Sequence, residues 1–339
     1  SLTPPPSSLL SHPSSLLSPP SSLISHPSSL LPHLSPLILL VLLLSSCNSN
    51  DDVLSDDFYG TITIDGDVEC CSADEARIVF NFVKNLHEVP ALRDTIEGTY
   101  SVHGYTADGT FRVGYNDIYF VVAKLKNGNY VKDFSISQLT PLMTMDMGGK
   151  TMQHSTPVLG EVSPLPDAPD ALKHTWISFL MATSDADKWQ LSYSLNIQRR
   201  GEHELSKSLT VAALPEGQSW LKSFKAGDDT YFLSLVSPDK WETGSNTIQA
   251  YVSKKSSPAT SPYLLADEEF TIDIDPRMPD MGNHTSPDNE PLTKQGTGEY
   301  QGIINLTMTG LWRIYLTVRD KERNIVAGDG NSLYLDVTI

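Results

Sequence analysis

The feature that most constrains the fold is a series of short segments in which apolar and polar residues alternate. They include IYFVVAKL, KDFSISQL, KWQLSYSLNI, TYFLSLV, NTIQAYV, EEFTIDI, GIINLTM, WRIYLTVRD and LYLDVTI. Alternation with a period of two is typical of β-strands with one buried face, and turn formers such as Asn-Gly and Asp-Gly separate the segments. The pattern predicts an all-β fold of immunoglobulin-like sandwiches with about seven strands each. Upstream, SADEARIVFNFVKNLHEV predicts one short helix.

Three sequence anchors occur twice in the same order. GYNDIYFVV, from Gly114, is matched by GSNTIQAYV, from Gly244. PLMTMDMGGKTMQHSTP, from Pro141, is matched by PRMPDMGNHTSP, from Pro276. TWISFLMATSDADKWQLSYSL is matched by YQGIINLTMTGLWRIYLTV, each with a Met before a Trp that opens a strand-like run. Self-similarity at this scale indicates a duplicated unit.

The repeat sets the expected domain organisation, which is two homologous sandwich modules in tandem. We expect these parts along the chain: a low-complexity leader and signal segment at 1–46, a tether with a strand and a helix that packs on the first module at 47–95, the first module at 96–200, a connecting segment at 201–224, and the second module at 225–339.

The leader differs in composition from the rest of the chain. Residues 1–46 contain no Lys, Arg, Asp or Glu and repeat a Ser-Pro-Leu phrase, which does not support a packed core. LILLVLLL, at 37–44, is too short to span a bilayer but fits the apolar core of a signal peptide. LSSC, ending at Cys47, resembles a bacterial lipobox. The resemblance implies lipidation of Cys47 and a place in the bacterial cell envelope, facing the periplasm or on the outer-membrane surface. The alternative is a short buried apolar segment.

Charge and motifs exclude several function classes. Lys and Arg number 24 against 41 Asp and Glu, a net charge of −17, which argues against binding nucleic acid through its phosphates. The sequence has neither GxSxG nor HExxH and no Gly-rich phosphate loop, so we expect no enzyme. Cys70 and Cys71 are adjacent and lack zinc-site spacing.

Methionine is concentrated in the duplicated anchors. The chain has eight methionines and none in its first 142 residues. Six lie in the two copies of the second anchor: Met143, Met145, Met147, Met152, Met278 and Met281. The other two, Met181 and Met308, lie in the third anchor. Methionine that only filled core gaps would scatter among all the strands, so these segments have a particular role.

Thioether sulfur is a soft ligand that suits Cu(I), and imidazole accepts both copper oxidation states. Such a thiol-free donor set also persists in an oxidising compartment. The predicted copper ligands are Met143, Met147 and His154 in the first copy and Met278, Met281 and His284 in the second, with Met145, Met152 and His174 as further candidates. The alternative is a structural cap, in which Met side chains plug the sandwich end while Gly and Pro set the backbone.

The second copy carries Gly-x-Asn, Met-Pro-x-Met-Gly-x-His, Tyr-x-Gly and Met-x-Gly-x-Trp. These motifs resemble the YtkA/FixH-like group of extracytoplasmic β-sandwich domains. The first copy departs from the pattern, with Thr144 in place of Pro, the insert GKTMQ, and Trp176 in place of the Tyr. Tandem modules behind a lipobox resemble lipoproteins of the Bacteroidetes type. The family resemblance implies copper handling, cytochrome oxidase assembly or metal efflux.

The leading hypothesis is a lipid-anchored, extracytoplasmic protein that binds copper and delivers it to an oxidase-assembly or efflux partner. The alternative is a structural or interaction lipoprotein whose sandwiches bind a protein or a glycan, with the Met segments as plugs. A third reading is a sensor or chaperone with one functional module and one degenerate module.

Overall fold

Strands make up most of the chain that the structure describes, as the alternating sequence pattern predicts. The structure is a computed structural model and describes residues 54–56, 60–62, 72–197, 200–216, 218–238 and 240–339. The described residues all belong to one compact unit. The predicted leader, Cys47, Cys70 and Cys71 lie outside the described residues.

The first elements are β1 Leu54–Asp56, β2 Gly60–Ile62 and α1 Ser72–Val83. The next strands are β3 His87–Glu88, β4 Asp94–Ile96, β5 Tyr100–Thr106, β6 Phe111–Arg112, β7 Gly114–Lys124, β8 Phe134–Asp146, β9 Thr151–His154, β10 Ser163–Pro164, β11 Lys173–Phe179, β12 Asp187–Ile197, β13 Gly201–Leu209 and β14 Val211–Ala212. The last are β15 Leu221–Ala226, β16 Asp229–Ser237, β17 Gly244–Lys254, β18 Thr271–Met278, β19 His284–Thr285, β20 Glu290–Lys294, β21 Glu299–Leu306, β22 Leu311–Arg319, β23 Ile325–Ala327 and β24 Tyr334–Thr338. Short 3-10 turns lie at Pro90–Leu92, Pro279–Met281 and Asp329–Asn331. The predicted all-β class is confirmed.

Two sheets form a sandwich in the first part of the chain. One has the order β10-β11-β7-β5-β3, with β4 also on β5, and the other has the order β13-β12-β8-β9. Ile118 and Phe120 of the first sheet share a core with Leu191 and Tyr193 of the second. A core filled from the inner faces of two sheets defines a β-sandwich. Strand β13 belongs to this sandwich because it pairs with β12 along its whole length.

Strands β15 to β24 form one continuous sheet. Its order is β15-β16-β17-β21-β20-β18-β22-β23, with β19 on β18 and β24 on β22. Ile248 of β17, Ile304 of β21 and Leu316 of β22 are buried in a single core. Since strands far apart in the order share this core, the sheet curls around it. This second core draws on residues from Trp220 to Val337.

Helix α1 packs on the side of β7 that faces away from the sandwich core. Ala76 and Val79, one turn apart, are buried against Val121 of β7, whereas the neighbouring Phe120 points into the sandwich. Successive strand residues point to opposite faces, so the helix makes β7 buried on both sides. Among the residues that the structure describes, no helix is long and apolar enough to cross a membrane.

The two cores are joined by direct contacts. The Ser155 backbone N–H donates to the carbonyl of Ala259 at 2.7 Å. Trp176 of β11 stacks on Tyr251 of β17, with ring centroids 4.8 Å apart and planes at 19°. Stacked aromatic pairs add to the stabilisation that comes from burial alone. The strand end that carries His154 is therefore fixed to the second half of the chain.

Candidate functional site

The first methionine-rich segment forms a β-hairpin. Strand β8 continues to Asp146, and β9 returns at Thr151. Gly148 and Gly149 between them have φ of 70° and 96°, a left-handed conformation that glycine adopts without strain. The segment stays extended because β12 pairs with β8 as far as Met145.

The proline that opens each methionine segment lies inside a strand, at a position where one side of the strand is unpaired, so its missing N–H costs no ladder hydrogen bond. Pro141 pairs with β12 on one side, and Pro276 pairs with β22. On the other side, β9 covers β8 only from Met143 onward, and β19 covers β18 only from Arg277. Within sheets, proline is tolerated at such unpaired edges.

One face of the hairpin carries most of the sulfur. The β8–β9 register pairs Met143 with His154 and Met145 with Met152. Directly paired residues point to the same face, with Cβ atoms about 4.5–5.5 Å apart, and so do residues two apart on one strand. His154 therefore shares its face with three thioethers.

The thioethers of this segment range from buried to exposed. Met143 is 0% exposed and belongs to the sandwich core, and Met145 packs against that core while half-buried. Toward the tip, Met152 is 53% exposed and Met147 is 61% exposed. An ion from solvent reaches the sulfur atoms at the tip and not the one at the base.

His154 is oriented by its own neighbour. Its Nδ1 lies 2.7 Å from the carbonyl oxygen of Ser155. A carbonyl only accepts, so Nδ1 carries a proton, and in the neutral imidazole Nε2 then keeps its lone pair. The imidazole meets the Trp189 ring edge-to-face at 5.7 Å, and Trp189 is paired with Met143 across β12 and β8. The two rings therefore meet above the buried Met143.

The second methionine segment repeats the arrangement of a buried Met, a paired His and a neighbouring Trp, with fewer sulfur atoms. Met278 of β18 pairs with His284, whose ring lies 6.4 Å from that of Trp312. Met278 is 4% exposed and Met281 is 54% exposed, and His284 is exposed. The indole N–H of Trp312 donates to the Met308 carbonyl at 2.8 Å. Met281 is the accessible thioether of this segment.

The first half has the equivalent hydrogen bond, in which the indole N–H of Trp189 donates to the Met181 carbonyl at 2.9 Å. Met181 and Met308 lie in the bends that follow β11 and β21. Both pack half-buried against their cores, so their side chains serve packing.

At two motif positions of the second half, close packing leaves no room for a side chain larger than that of glycine. A Cβ on Gly310 would lie 2.9 Å from the terminal methyl carbon of Met278. A Cβ on Gly302 would lie 2.7 Å from the carbonyl oxygen of Glu290 and 2.9 Å from that of Pro291. The Met278 side chain therefore ends against the backbone of Gly310, which is a core contact.

The Gly-x-Asn anchor holds the entry to a strand. Asn116 accepts from the Arg112 N–H at 3.0 Å and donates to the Arg112 carbonyl at 2.8 Å. Asn246 makes the same two bonds to Glu242 at the same distances. The glycine two residues before each Asn has φ of 89° or 100°. Two copies of one module would make such matched contacts, and the module boundaries stay a prediction.

The register corrects one pairing of the sequence comparison. Asn116 pairs with Ile177, and Asn246 pairs with Ile304. Trp176 and Ile303 each lie one residue before these partners. Trp176 is therefore equivalent to Ile303 and not to Tyr300, so the alignment of Trp176 with the motif Tyr is wrong. Strand register fixes which positions are equivalent, and a shared aromatic side chain does not. Trp176 stacks on Tyr251.

His174 does not lie with the hairpin. It belongs to β11, in the opposite sheet of the sandwich, and its Nε2 lies 2.7 Å from Asp117 Oδ1. In the described part of the chain, His, Cys, Asp and Glu form no group of three or more that could hold a metal ion. A site for a soft metal there rests on methionine sulfur.

Comparison with known proteins finds a family match within the second half of the chain. Residues 225–317 match the family model described as YtkA-like, which confirms the resemblance seen in the motifs. No curated protein matches the chain. Among solved structures, invasin, a bacterial integrin-binding protein, is 11% identical with a TM-score of 0.19, and the match covers 70% of this chain and 39% of invasin. Dimeric latent PorU from Porphyromonas gingivalis is 12% identical with a TM-score of 0.21, over 75% of this chain and 24% of PorU. The chain thus spans less than half the length of either protein.

Proposed function

With the YtkA-like match over residues 225–317 as the premise, we propose that the protein binds Cu(I) as cargo at the tip of the β8–β9 hairpin. The family match is consistent with an extracytoplasmic protein. The proposed donors are Met145, Met147, Met152 and His154. The observation that carries the proposal is the direct pairing of Met145 with Met152 on the face that also holds His154.

The chemistry of these donors suits the reduced ion. Thioethers are soft and select Cu(I), and an imidazole nitrogen completes a three- or four-coordinate site. The Nδ1–H of His154 is bonded to the Ser155 carbonyl, which leaves Nε2 as the ligand atom. A hydrogen bond from the other ring nitrogen is the usual support of a metal-binding histidine.

Access also favours the tip. Met147 and Met152 are more than half exposed, as a site that exchanges cargo with a partner requires. The net charge of −17 concentrates cations near the surface. The proposed role is capture of copper or its delivery to an oxidase or an efflux system, with Cys47 as the lipid anchor in the cell envelope. This role requires no catalysis.

The second segment supports a weaker site. It offers one exposed thioether, Met281, together with the exposed His284, because Met278 ends in the core. Fewer soft donors should give lower Cu(I) affinity. The first segment is therefore the main site and the second an auxiliary one.

A second candidate function rests on the burial of Met143 and Met278, which favours packing for these two residues. If packing were also the role of the remaining methionines, the protein would be a non-metal interaction lipoprotein. Its sandwiches would then bind a protein or a glycan.

Competition with a chromogenic Cu(I) chelator, under anaerobic conditions and with the full chain, tests the copper proposal. Met145→Leu combined with Met152→Leu removes two sulfur atoms and nearly conserves volume. We expect Cu(I) affinity to fall at least tenfold. Met281→Leu is the matched comparison because it removes an exposed sulfur from the other segment; it should weaken only the auxiliary site and leave the affinity of the main site unchanged.

Binding no tighter than micromolar, or equal affinity in the double variant and the wild type, would remove the copper proposal in favour of the interaction function. The anchor is tested separately by radioactive palmitate labelling of cells that express the wild type or Cys47→Ala. Equal labelling of both would exclude lipidation at Cys47.

A further inference from the structure

A small cavity lies where the outer face of β7 meets the end of β16, on the sheet that does not carry the methionine hairpin. Its volume is about 280 Å³, just below the usual range of pockets for drug-sized ligands. The buried Trp220 and Leu235 form part of its wall, together with the half-buried Leu86 and Val236. The cavity therefore suits a small molecule with an apolar part.

The polar lining of the cavity carries charges of both signs, from Arg112, Asp108 and Asp117. The Arg112 guanidinium lies over the Trp220 ring, 5.2 Å from its centroid, and it forms no ion pair within the part of the chain that the structure describes. A guanidinium stacked on a ring uses its flat face and keeps its in-plane N–H groups, which match a carboxylate in geometry. Arg112 is therefore a stacked cation that can still donate to an anionic group.

Each of the two carboxylates accepts hydrogen bonds through one oxygen. Asp117 Oδ1 accepts from the Tyr115 hydroxyl at 2.7 Å, and His174 Nε2 lies 2.7 Å from the same oxygen. Asp108 Oδ1 accepts from the backbone N–H of Thr110 at 3.0 Å and from its hydroxyl at 2.8 Å. Among the described residues, neither Oδ2 has a hydrogen-bond donor. The bonds to Oδ1 orient both carboxylates, and each Oδ2 can accept from an ammonium group.

The charges of the cavity are not required by the strand entry on which they lie. The second Gly-x-Asn anchor has Glu242 at the position of Arg112 and Thr247 at the position of Asp117. Both anchors nevertheless make the same hydrogen bonds from their Asn. Since the local structure forms with either set of side chains, Arg112 and Asp117 have a role outside it.

We propose that this cavity binds a free amino acid in its zwitterionic form. The α-carboxylate lies toward Arg112, the α-ammonium lies toward Asp117, and the side chain lies toward Leu86 and Val236. A ligand with a single charge would leave the opposite charge of the cavity without a partner, and a neutral sugar would leave both, which weakens binding in a partly desolvated site. The volume excludes a folded protein or a long peptide.

Isothermal titration of the metal-free full chain tests the proposal. The probes are L-alanine, L-leucine and L-phenylalanine, each compared with its N-acetyl derivative, its amide and D-glucose. N-acetylation removes the ammonium charge and amidation removes the carboxylate charge, so each derivative lacks one of the two proposed ionic contacts. Titration at about pH 6.5 keeps the α-amino groups protonated, because their ordinary pKa is about 7.7–8.0.

Two variants remove one charge each while keeping a polar side chain of similar size, namely Arg112→Gln and Asp117→Asn. Arg77→Gln is the matched control, because Arg77 is exposed on α1, pairs with Asp74 and is absent from the lining. None of these positions is a proposed copper donor, so unchanged Cu(I) affinity shows that each variant is folded.

We expect saturable binding of one or more of the amino acids, with affinity at least about tenfold lower for both derivatives and in both cavity variants. Arg77→Gln should bind as the wild type does. The proposal would be overturned if none of the three amino acids binds, if either derivative or either cavity variant keeps full affinity, or if Arg77→Gln loses as much. Glucose binding at equal or higher affinity would assign the cavity to a sugar instead.

Discussion

Replacing Met143 by alanine tests how the base of the hairpin is built. The side chain is 0% exposed and lies between strands that carry His154 and Trp189 on the same face. Removing a buried methionine side chain costs about 2–5 kcal/mol, and the cost rises with the volume that stays empty. The rings above Met143 are tied down, since His154 is bonded to the Ser155 carbonyl and Trp189 to the Met181 carbonyl.

Because these rings cannot collapse into the space, we expect a loss in the upper part of that range, about 3–5 kcal/mol. For a unit of this size, each kcal/mol lowers the melting temperature by about 2–4 °C, so the expected decrease is about 6–20 °C. Met143→Leu, which nearly conserves volume, should cost less than about 1.5 kcal/mol. Met147→Ala, at a 61% exposed position, should stay within about 0.5 kcal/mol.

Calorimetry and urea unfolding followed by tryptophan fluorescence provide the measurements. The reasoning fails if Met143→Ala melts with the wild type, or if Met147→Ala loses as much stability as Met143→Ala. The copper assay adds an independent readout, because Met143→Leu should keep full Cu(I) affinity. A tenfold loss of affinity in a stable Met143→Leu protein would place Met143 among the ligands.

Three further predictions follow from single contacts. Asn116→Ala and Asn246→Ala should each cost about 1–3 kcal/mol in urea unfolding, because the partly buried backbone N–H and carbonyl of Arg112 or Glu242 lose their side-chain partner; a change within error at both positions would contradict a stabilising role for these bonds. Gly302→Ala should cost about 1–3 kcal/mol of stability, since its Cβ would meet the Glu290 carbonyl oxygen at 2.7 Å. An unchanged melting temperature would refute the close approach. Burial raises the pKa of Glu88, but hydrogen bonds from Arg93 at 2.7 Å and His103 at 2.8 Å outweigh it and leave that pKa lowered in the folded state. The contribution of Glu88 to stability should therefore be full above its ordinary pKa of 4.5 and lost as the pH falls through the folded value. Unfolding of the wild type and Glu88→Gln between about pH 3 and pH 7 should therefore converge at acidic pH, and a constant difference would exclude the effect.

Local sequence determined the strands and the entries to them. Alternation with a period of two identified the segments that became β7, β12, β17 and β22, because one buried face is enough to impose that pattern. The Gly-x-Asn anchors were also recognisable as a repeat. The strand entry they form is local, because it needs a glycine with positive φ and an Asn side chain that bonds a backbone four residues earlier. The motifs of the second half were specific enough to predict the match of residues 225–317 to the YtkA-like family model.

The sequence located the methionine segments but ranked their residues differently from the structure. It treated Met145 and Met152 as extras because they have no counterparts in the second copy. The hairpin register makes them a direct pair beside His154. That pairing depends on β12, which lies about forty residues further along the chain and holds β8 extended.

Tertiary structure alone decided which methionines are core and which are accessible. Met143 and Met147 are four residues apart in one alternating segment, yet the first is buried and paired with Trp189, whereas the second lies past the end of β8 and is exposed. Strand identity comes from interactions between near neighbours in the chain, whereas burial and site composition depend on which distant strands pair and in which register.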